Sequence, residues 1–407
     1  MKVCVFGLWH LGTVTAACAA SIGHEVTGLD FDETTIERLN RSEPPLYEPG
    51  LAELVRKGLD AGTLRFTTDA GAVKDARVVW VTFDTPVGDD DRADTDFVIK
   101  RIESLFDHLA AGTLVLVSSQ LPAGSIRGLE RARPDVMFAS SPENLRLGKA
   151  IDAFLKPDRI VVGTRTEEAR QIIAELLQPL HAPIEWMSIE SAEMTKHALN
   201  AFLATSVAFI NEIAVICEHV GADASEVARG LKTDARIGPR AYLSPGGAFA
   251  GGTLARDIEF LKSHKQLPLI AAVKTSNDQH KNWARAKLLS VLGDMKGKTI
   301  AVWGLTYKPG TDTLRRSTAI ELCRWLGSQG ARVQAHDPVV KSIPADLPVM
   351  LCSSPAGAVD GADALVVATE WPEYRHAEVP AGMIVIDAGG FTGRRENVRY
   401  YSVGKPS

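Results

Sequence analysis

Residues 3–18 read VCVFGLWHLGTVTAAC, and the fold follows from how this stretch is parsed. Val3 and Val5 mark a buried strand, Gly7 to Gly12 a turn, and the run of small residues beyond it a closely packed helix. A dinucleotide loop wants G-x-G-x-x-G at this place, its middle glycine letting the backbone approach a pyrophosphate. Here the outer glycines, Gly7 and Gly12, enclose Trp9, His10 and Leu11, and Trp9 holds the middle position. A second strand ends at Asp30, where a carboxylate would accept both ribose hydroxyls and repel a 2′-phosphate, which favours NAD over NADP. The competing reading is a packed strand–helix corner, with Trp9 a core side chain and Asp30 a turn or cap residue.

The surrounding chain has the same texture. KVCVFG, EVTGLD, RVVWVTF, TLVLVSS and RIVVGT are apolar runs, rich in Val and Ile and without alternation, each followed by a polar or helical stretch. Such runs suit parallel strands covered on both faces, and hence a doubly wound α/β domain. From about Ser191 the pattern changes to one long, Ala-rich helix with apolar spacings of three and four, ended by Gly221. A Gly/Pro-rich loop, IGPRAYLSPGGAFAGGTLARD, and further helices follow. A second strand–turn–helix unit then opens at TIAVWGLTYKPGTD. The expected architecture is two Rossmann-like doubly wound domains, 1–190 and 297–407, joined by a central helical domain, 191–296.

Composition narrows the function. A net charge of -5 over 407 residues argues against a nucleic-acid surface. No apolar run reads as long enough to span a bilayer, and no signal peptide is expected before the first strand. The five cysteines, Cys4, Cys18, Cys217, Cys323 and Cys352, are widely spaced and without a C-x-x-C pair. They suit a reducing cytoplasm, and the histidines do not join them at ligand spacing, so no metal site is expected.

PPLYEPGLAELV (44–55), SSQLPAG (118–124), SPENLRLGKAI (141–151), EMTKHALNAF (193–202), INEIA (210–214), RIGPRAYLSPGG (236–247) and TYKPGTDTLRRS (306–317) occur in one order over nearly the whole chain. Together they resemble the UDP-glucose/GDP-mannose dehydrogenase family. The resemblance implies an N-terminal NAD-binding domain, a homodimer through the central helix, and a C-terminal domain gripping a nucleotide sugar. It also makes the first loop a modified nucleotide loop, with Thr85 and Gln120 lining the cofactor side and Arg315 near it.

Such enzymes oxidise a sugar C6 twice, and the second oxidation runs through a cysteine thioester in a motif like G-F-G-G-S-C-F-P-K-D. Here the aligned stretch is AFAGGTLARD (248–257), and Thr253 stands at the cysteine's place. A thiolate is a good nucleophile near neutral pH and a good leaving group; a threonine hydroxyl is neither. That leaves oxidation to an aldehyde or ketone, or to an acid through an aldehyde hydrate.

The remaining shell is carried over by resemblance. Lys196 and Asn200, four apart and so on one helix face, match K-x-x-x-N, which stabilises a developing alkoxide; a solvated lysine is the alternative. Asp257 matches the family's aspartate of the base system, or else caps the helix that begins beside it. Glu143 matches a carboxylate near the reacting carbon, with Asn144, Leu145 and Arg146 following on the substrate side. Leu147 replaces a second family glutamate, and Gln120 a threonine. Arg236 matches an arginine that reaches the partner subunit's substrate. Tyr242, Leu243, Ser244 and Gly247 match the loop along the pyrophosphate, and Tyr307 and Lys308 a pair at the base and sugar. The family's D-x-R-N arginine is absent, the chain reading Asp387-Ala388-Gly389-Gly390. The other functions weighed are a 3-hydroxyacid dehydrogenase, two-electron oxidation of a different sugar hydroxyl, and a silent nucleotide-sugar-binding homologue.

Overall fold

The computed structural model of the chain describes residues 1–407 except Val87, 89–92, Asn144, Gly251, Gly252, Lys265 and Ser407, and gives the backbone only of Ser263 and His264. It divides into two compact units, Met1–Leu199 and Asn200–Ser407.

The first unit is built on β1 (Lys2–Phe6), β2 (Glu25–Leu29), β3 (Leu64–Thr67), β4 (Val78–Val81), β5 (Leu114–Val117), β6 (Met137–Ser140), β7 (Ile160–Thr164) and β8 (Ile184–Met187). They form one eight-stranded sheet in the order β3-β2-β1-β4-β5-β6-β7-β8. Neighbours are parallel except β6 and β7, which pair antiparallel through Ala139 with Thr164 and Ser140 with Gly163. That pair departs from the wholly parallel sheet expected. β3 (LRFT), β6 (MFAS) and β8 (IEWM) are interrupted by polar or small residues and so do not stand out as apolar runs, unlike the equally short β4 (VVWV) and β5 (LVLV). Phe6, the last residue of β1, lies opposite Leu29 of β2 and Val81 of β4, so β1 ends where the strand order reverses. Open α/β sheets bind ligands at such a crevice. Apolar layers cover both faces, one around Val5, Val14 and Leu114, the other around Phe6, Val81 and Val117.

The second unit carries helices Ala224–Thr233, Thr253–His264, Pro268–His280 and Trp283–Leu292, then a six-stranded parallel sheet. Its strands are β9 (Thr299–Trp303), β10 (Arg332–His336), β11 (Met350–Leu351), β12 (Ala364–Val367), β13 (Ile384–Asp387) and β14 (Arg399–Tyr401), ordered β11-β10-β9-β12-β13-β14. As in the first sheet, the central β9 is fully buried.

A 32-residue helix, Ile189–Val220, starts in the first unit and continues into the second. Gly221, with a φ of 77°, ends it in the left-handed conformation that glycine adopts at no steric cost. By length and composition this helix is apolar enough to cross a membrane, contrary to the expectation from sequence. In the second unit its buried face packs Ala201, Ala204 and Ala208 on Ile258 and Val273. Phe202, Phe209 and Ile216 recur at seven-residue intervals and are exposed.

Candidate functional site

The first unit builds its loop from local sterics. Gly7 has a φ of 96°, and its N–H donates to Leu29 O at 2.9 Å. A Cβ at Gly12 would lie 1.7 Å from the Gly7 carbonyl oxygen, so only glycine lets the helix His10–Ser21 start against β1. Trp9 occupies the N-cap position without a side-chain capping bond, and its indole is 48% exposed. It is therefore not a core side chain, and the packed-corner reading fails on that point. Asp30, just after β2, accepts Leu8 N–H on Oδ2 at 2.7 Å and Asp32 N–H on Oδ1 at 3.1 Å. A glycine cradle, a helix N-terminus at the sheet crevice and a carboxylate tied to the loop fit an adenine dinucleotide.

Thr85 donates its hydroxyl to Gln120 O at 2.7 Å, joining the segments after β4 and β5. Glu143 lies in the loop after β6. Its carbonyl accepts the Lys196 ammonium at 2.5 Å, its Oε1 is 3.9 Å from Lys196 Nζ, and its Oε2 accepts Leu145 N–H. The Lys196 side chain is 10% exposed, which rules out the solvated-lysine reading. Arg146 is exposed, and Asn144 lies outside the described residues.

Glu48 was legible only as part of a Pro/Gly loop. Its carboxylate is buried and meets His10 Nε2 at 2.9 Å, Gly148 N–H at 2.8 Å and Ala150 N–H at 2.9 Å. One buried anion thus ties the helix start beside Trp9 to the loop that carries Glu143. An acidic residue inside PPLYEPG was the available signal. Glu193 is a second buried carboxylate, bonded by Gly124 N–H at 2.6 Å and Ile126 N–H at 3.3 Å; burial pushes its pKa above the usual carboxylate range.

In the second unit, Asn200 donates its side-chain amide to Asp257 Oδ2, and both residues are buried. Asp257 is the fifth residue of the helix Thr253–His264 and does not cap it, so the capping alternative is set aside. Thr253 opens that helix and is exposed. The loop before it is pinned by side chains that sequence reasoning passed over. Asn211 accepts Gly246 N–H at 3.0 Å and donates to Gly247 O at 3.3 Å, His280 Nε2 meets Gly246 O at 2.7 Å, and Asn277 bonds both N–H and O of Phe249.

A cavity of about 620 Å³ adjoins this loop and is lined by Tyr242, Ser244, Gly247, Tyr307 and Lys308 among others. Lys308 Nζ stands 5.5 Å above the Tyr307 ring. Leu243 instead faces a core with Ile210 and Ala228. Glu370 also lines the cavity and crowds Gly389, where a Cβ would meet its Oε1 at 2.0 Å. Arg236 is exposed and paired with Asp234 at 2.7 Å, and Arg315 is an exposed loop residue. Among the described residues no cluster of His, Cys, Asp and Glu could hold a metal. Cys4, Cys18, Cys217 and Cys323 are buried, and burial pushes the thiols of Cys4, Cys18 and Cys323 up to about 12.

Three family models match in succession. The NAD binding domain of the UDP-glucose/GDP-mannose dehydrogenase family covers residues 1–181, its central domain 190–279 and its UDP binding domain 301–394. A UDP-glucose 6-dehydrogenase of Pseudomonas aeruginosa is 36% identical, the match covering 93% of this chain and 89% of that one. UDP-glucose 6-dehydrogenase TuaD of Bacillus subtilis is 34% identical over 100% of this chain and 94% of its own. The structure of a UDP-glucose dehydrogenase from Pyrobaculum islandicum superposes with a TM-score of 0.90 at 30% identity, covering 100% of this chain and 98% of that one.

Proposed function

Because the chain belongs to the UDP-glucose/GDP-mannose dehydrogenase family, we propose that it oxidises a nucleotide sugar at C6 with NAD and without a cysteine thioester. The observation that carries this reading is Thr253 at the head of its helix, four residues before the buried Asp257 that Asn200 holds. The proton-handling groups are present while the thiol is not.

Gly7, Gly12, the helix start at Trp9, His10 and Leu11, and Asp30 would hold NAD, which would supply the hydride acceptor. The chain's own residues do the rest. Lys196, fixed by the Glu143 carbonyl, offers a positive charge to the hydroxyl oxygen as its proton leaves, stabilising the alkoxide from which hydride then departs. Glu143 and Asp257 are the carboxylates available to take protons. Tyr242, Ser244, Gly247, Tyr307 and Lys308 hold the nucleotide, with Lys308 facing phosphate charge. The three segments 1–190, 191–296 and 297–407 serve cofactor binding, dimerisation and nucleotide-sugar binding. Phe202, Phe209 and Ile216 supply the apolar seam of a homodimer, and Arg236 crosses to its partner's substrate. The buried thiols suit the cytoplasm.

NADH release at limiting sugar, across UDP-, GDP-, ADP- and CDP-sugars with excess NAD, tests the reading. Stoichiometric NADH with one of them supports it, and none with any of them overturns it in favour of a silent binding protein.

A further inference from the structure

Ser119 directly follows Ser118 at the end of β5 and is 6% exposed. Its hydroxyl is the one buried Ser or Thr hydroxyl, among the described residues, without a hydrogen-bond partner. Ser118 shows the contrast: it accepts Trp80 Nε1 at 2.8 Å and donates to Ser141 O at 2.6 Å. Ser119 lines a small cavity together with Glu143, Lys196, Glu193, Gln120 and Pro142. The space open to a water's centre is about 10 Å³, the size of a single-water site, and its lining offers the polar partners that a buried water needs.

We infer that this cavity binds one water, and that Ser119 holds it as the nucleophile that hydrates the aldehyde formed in the first oxidation. The inference rests on the function proposed above. A thioester enzyme adds sulfur to the aldehyde, whereas this chain lacks that thiol and must add oxygen to reach an acid. The water oxygen bonds the aldehyde carbon, the carbonyl π pair moves to its oxygen, and Lys196 protonates that oxygen. Glu143 takes a proton from the attacking water, and its transfer to Lys196 restores both groups. The gem-diol then gives hydride to a second NAD as one hydroxyl proton leaves. Overall R–CH₂OH + 2 NAD⁺ + H₂O yields R–COO⁻ + 2 NADH + 3 H⁺. Lys196 and Glu143 thereby serve both half-reactions, and Ser119 positions the water.

The test uses the full-length enzyme with whichever nucleotide sugar reduces NAD fastest, and with the corresponding 6-aldehyde. Wild type should release two NADH per sugar. Without NAD it should accelerate exchange of the aldehyde oxygen with ¹⁸O-labelled water. Ser119→Val, whose methyls occupy the water's place, should move the yield toward one NADH and raise the trapped aldehyde about tenfold or more. Ser119→Ala should fall between, which covers a folding failure of the valine variant, and Ser119→Thr, which keeps the hydroxyl, should restore exchange. One NADH per sugar from wild type, with a trappable aldehyde, overturns the water site and leaves nucleotide-sugar oxidation standing. Two NADH and undiminished ¹⁸O exchange from folded Ser119→Val overturn it as well. No NADH from any nucleotide sugar overturns both.

Discussion

Asn200 of the long helix donates its side-chain amide to Asp257 of the helix Thr253–His264, closing a buried polar contact between residues 57 apart in sequence. Both residues are buried, where a polar group is costly unless it is hydrogen-bonded. Asn200→Ala leaves the Asp257 carboxylate without that donor. It should cost about 1–3 kcal/mol in stability, measured by urea unfolding, and it should depress turnover. Wild-type stability in the variant would mean that the pair contributes nothing to the packing of the two helices.

Lys196 is held by the Glu143 carbonyl, close to the carboxylate of the same residue. Lys196→Ala should lower kcat by about 10²–10³-fold, the cost of removing one preorganised donor to a developing oxyanion, with an unchanged circular dichroism spectrum. A wild-type kcat would move the reacting centre elsewhere.

With the thiols of Cys4, Cys18 and Cys323 buried and raised to about 12, wild-type activity should resist iodoacetamide at pH 7.5. Thr253→Cys should become sensitive to the reagent and form acid faster than wild type. Insensitivity of that variant would show that position 253 is not reached by the reacting group.

Trp9 is exposed at the N-cap, so Trp9→Gly removes no core packing. By opening the loop to closer phosphate approach it should lower the Kd for NAD about tenfold, the worth of one added hydrogen bond to charge. Weaker binding, read by fluorescence titration, would place the indole in the cofactor's own contact surface.

Glu190 is bound by Arg165 at 2.6 Å and Arg127 at 2.7 Å, and these guanidinium groups hold its carboxyl well below the ordinary value of 4.5. A depressed pKa means the folded state binds its proton less readily than the unfolded chain. Its contribution is present above pH 4.5 and is lost as pH falls toward the folded value. Glu190→Gln should cost about 1 kcal/mol at pH 7 and approach zero cost in strong acid, followed by unfolding at several pH values. A cost independent of pH would attribute the effect to packing.

Features that depend on local spacing were readable from the chain alone. Gly7, Gly12 and Asp30 favour a nucleotide loop over a packed corner, because a tight turn, a close helix and a ribose carboxylate each demand one residue type at one distance along the backbone. The ordered motifs along the chain decided between the two. The i, i+4 spacing of Lys196 and Asn200 places them on one face of a helix wherever that helix packs. The absence of a cysteine at Thr253 needed only the alignment of a motif.

Tertiary structure decided which distant groups meet. Trp9 could be core or surface until the packing against β1 left it exposed. Glu48 became the anchor of Gly148 and Ala150, 100 and 102 residues away, and Ser119 was left facing a cavity while its neighbour Ser118 was satisfied. Leu243 turned to the core although it sits between Tyr242 and Ser244, which line the nucleotide cavity. The reason is physical: backbone geometry constrains a few adjacent residues. The pairing of far segments is instead set by the summed burial of the whole chain, and a buried polar group must then find whatever partner that burial supplies.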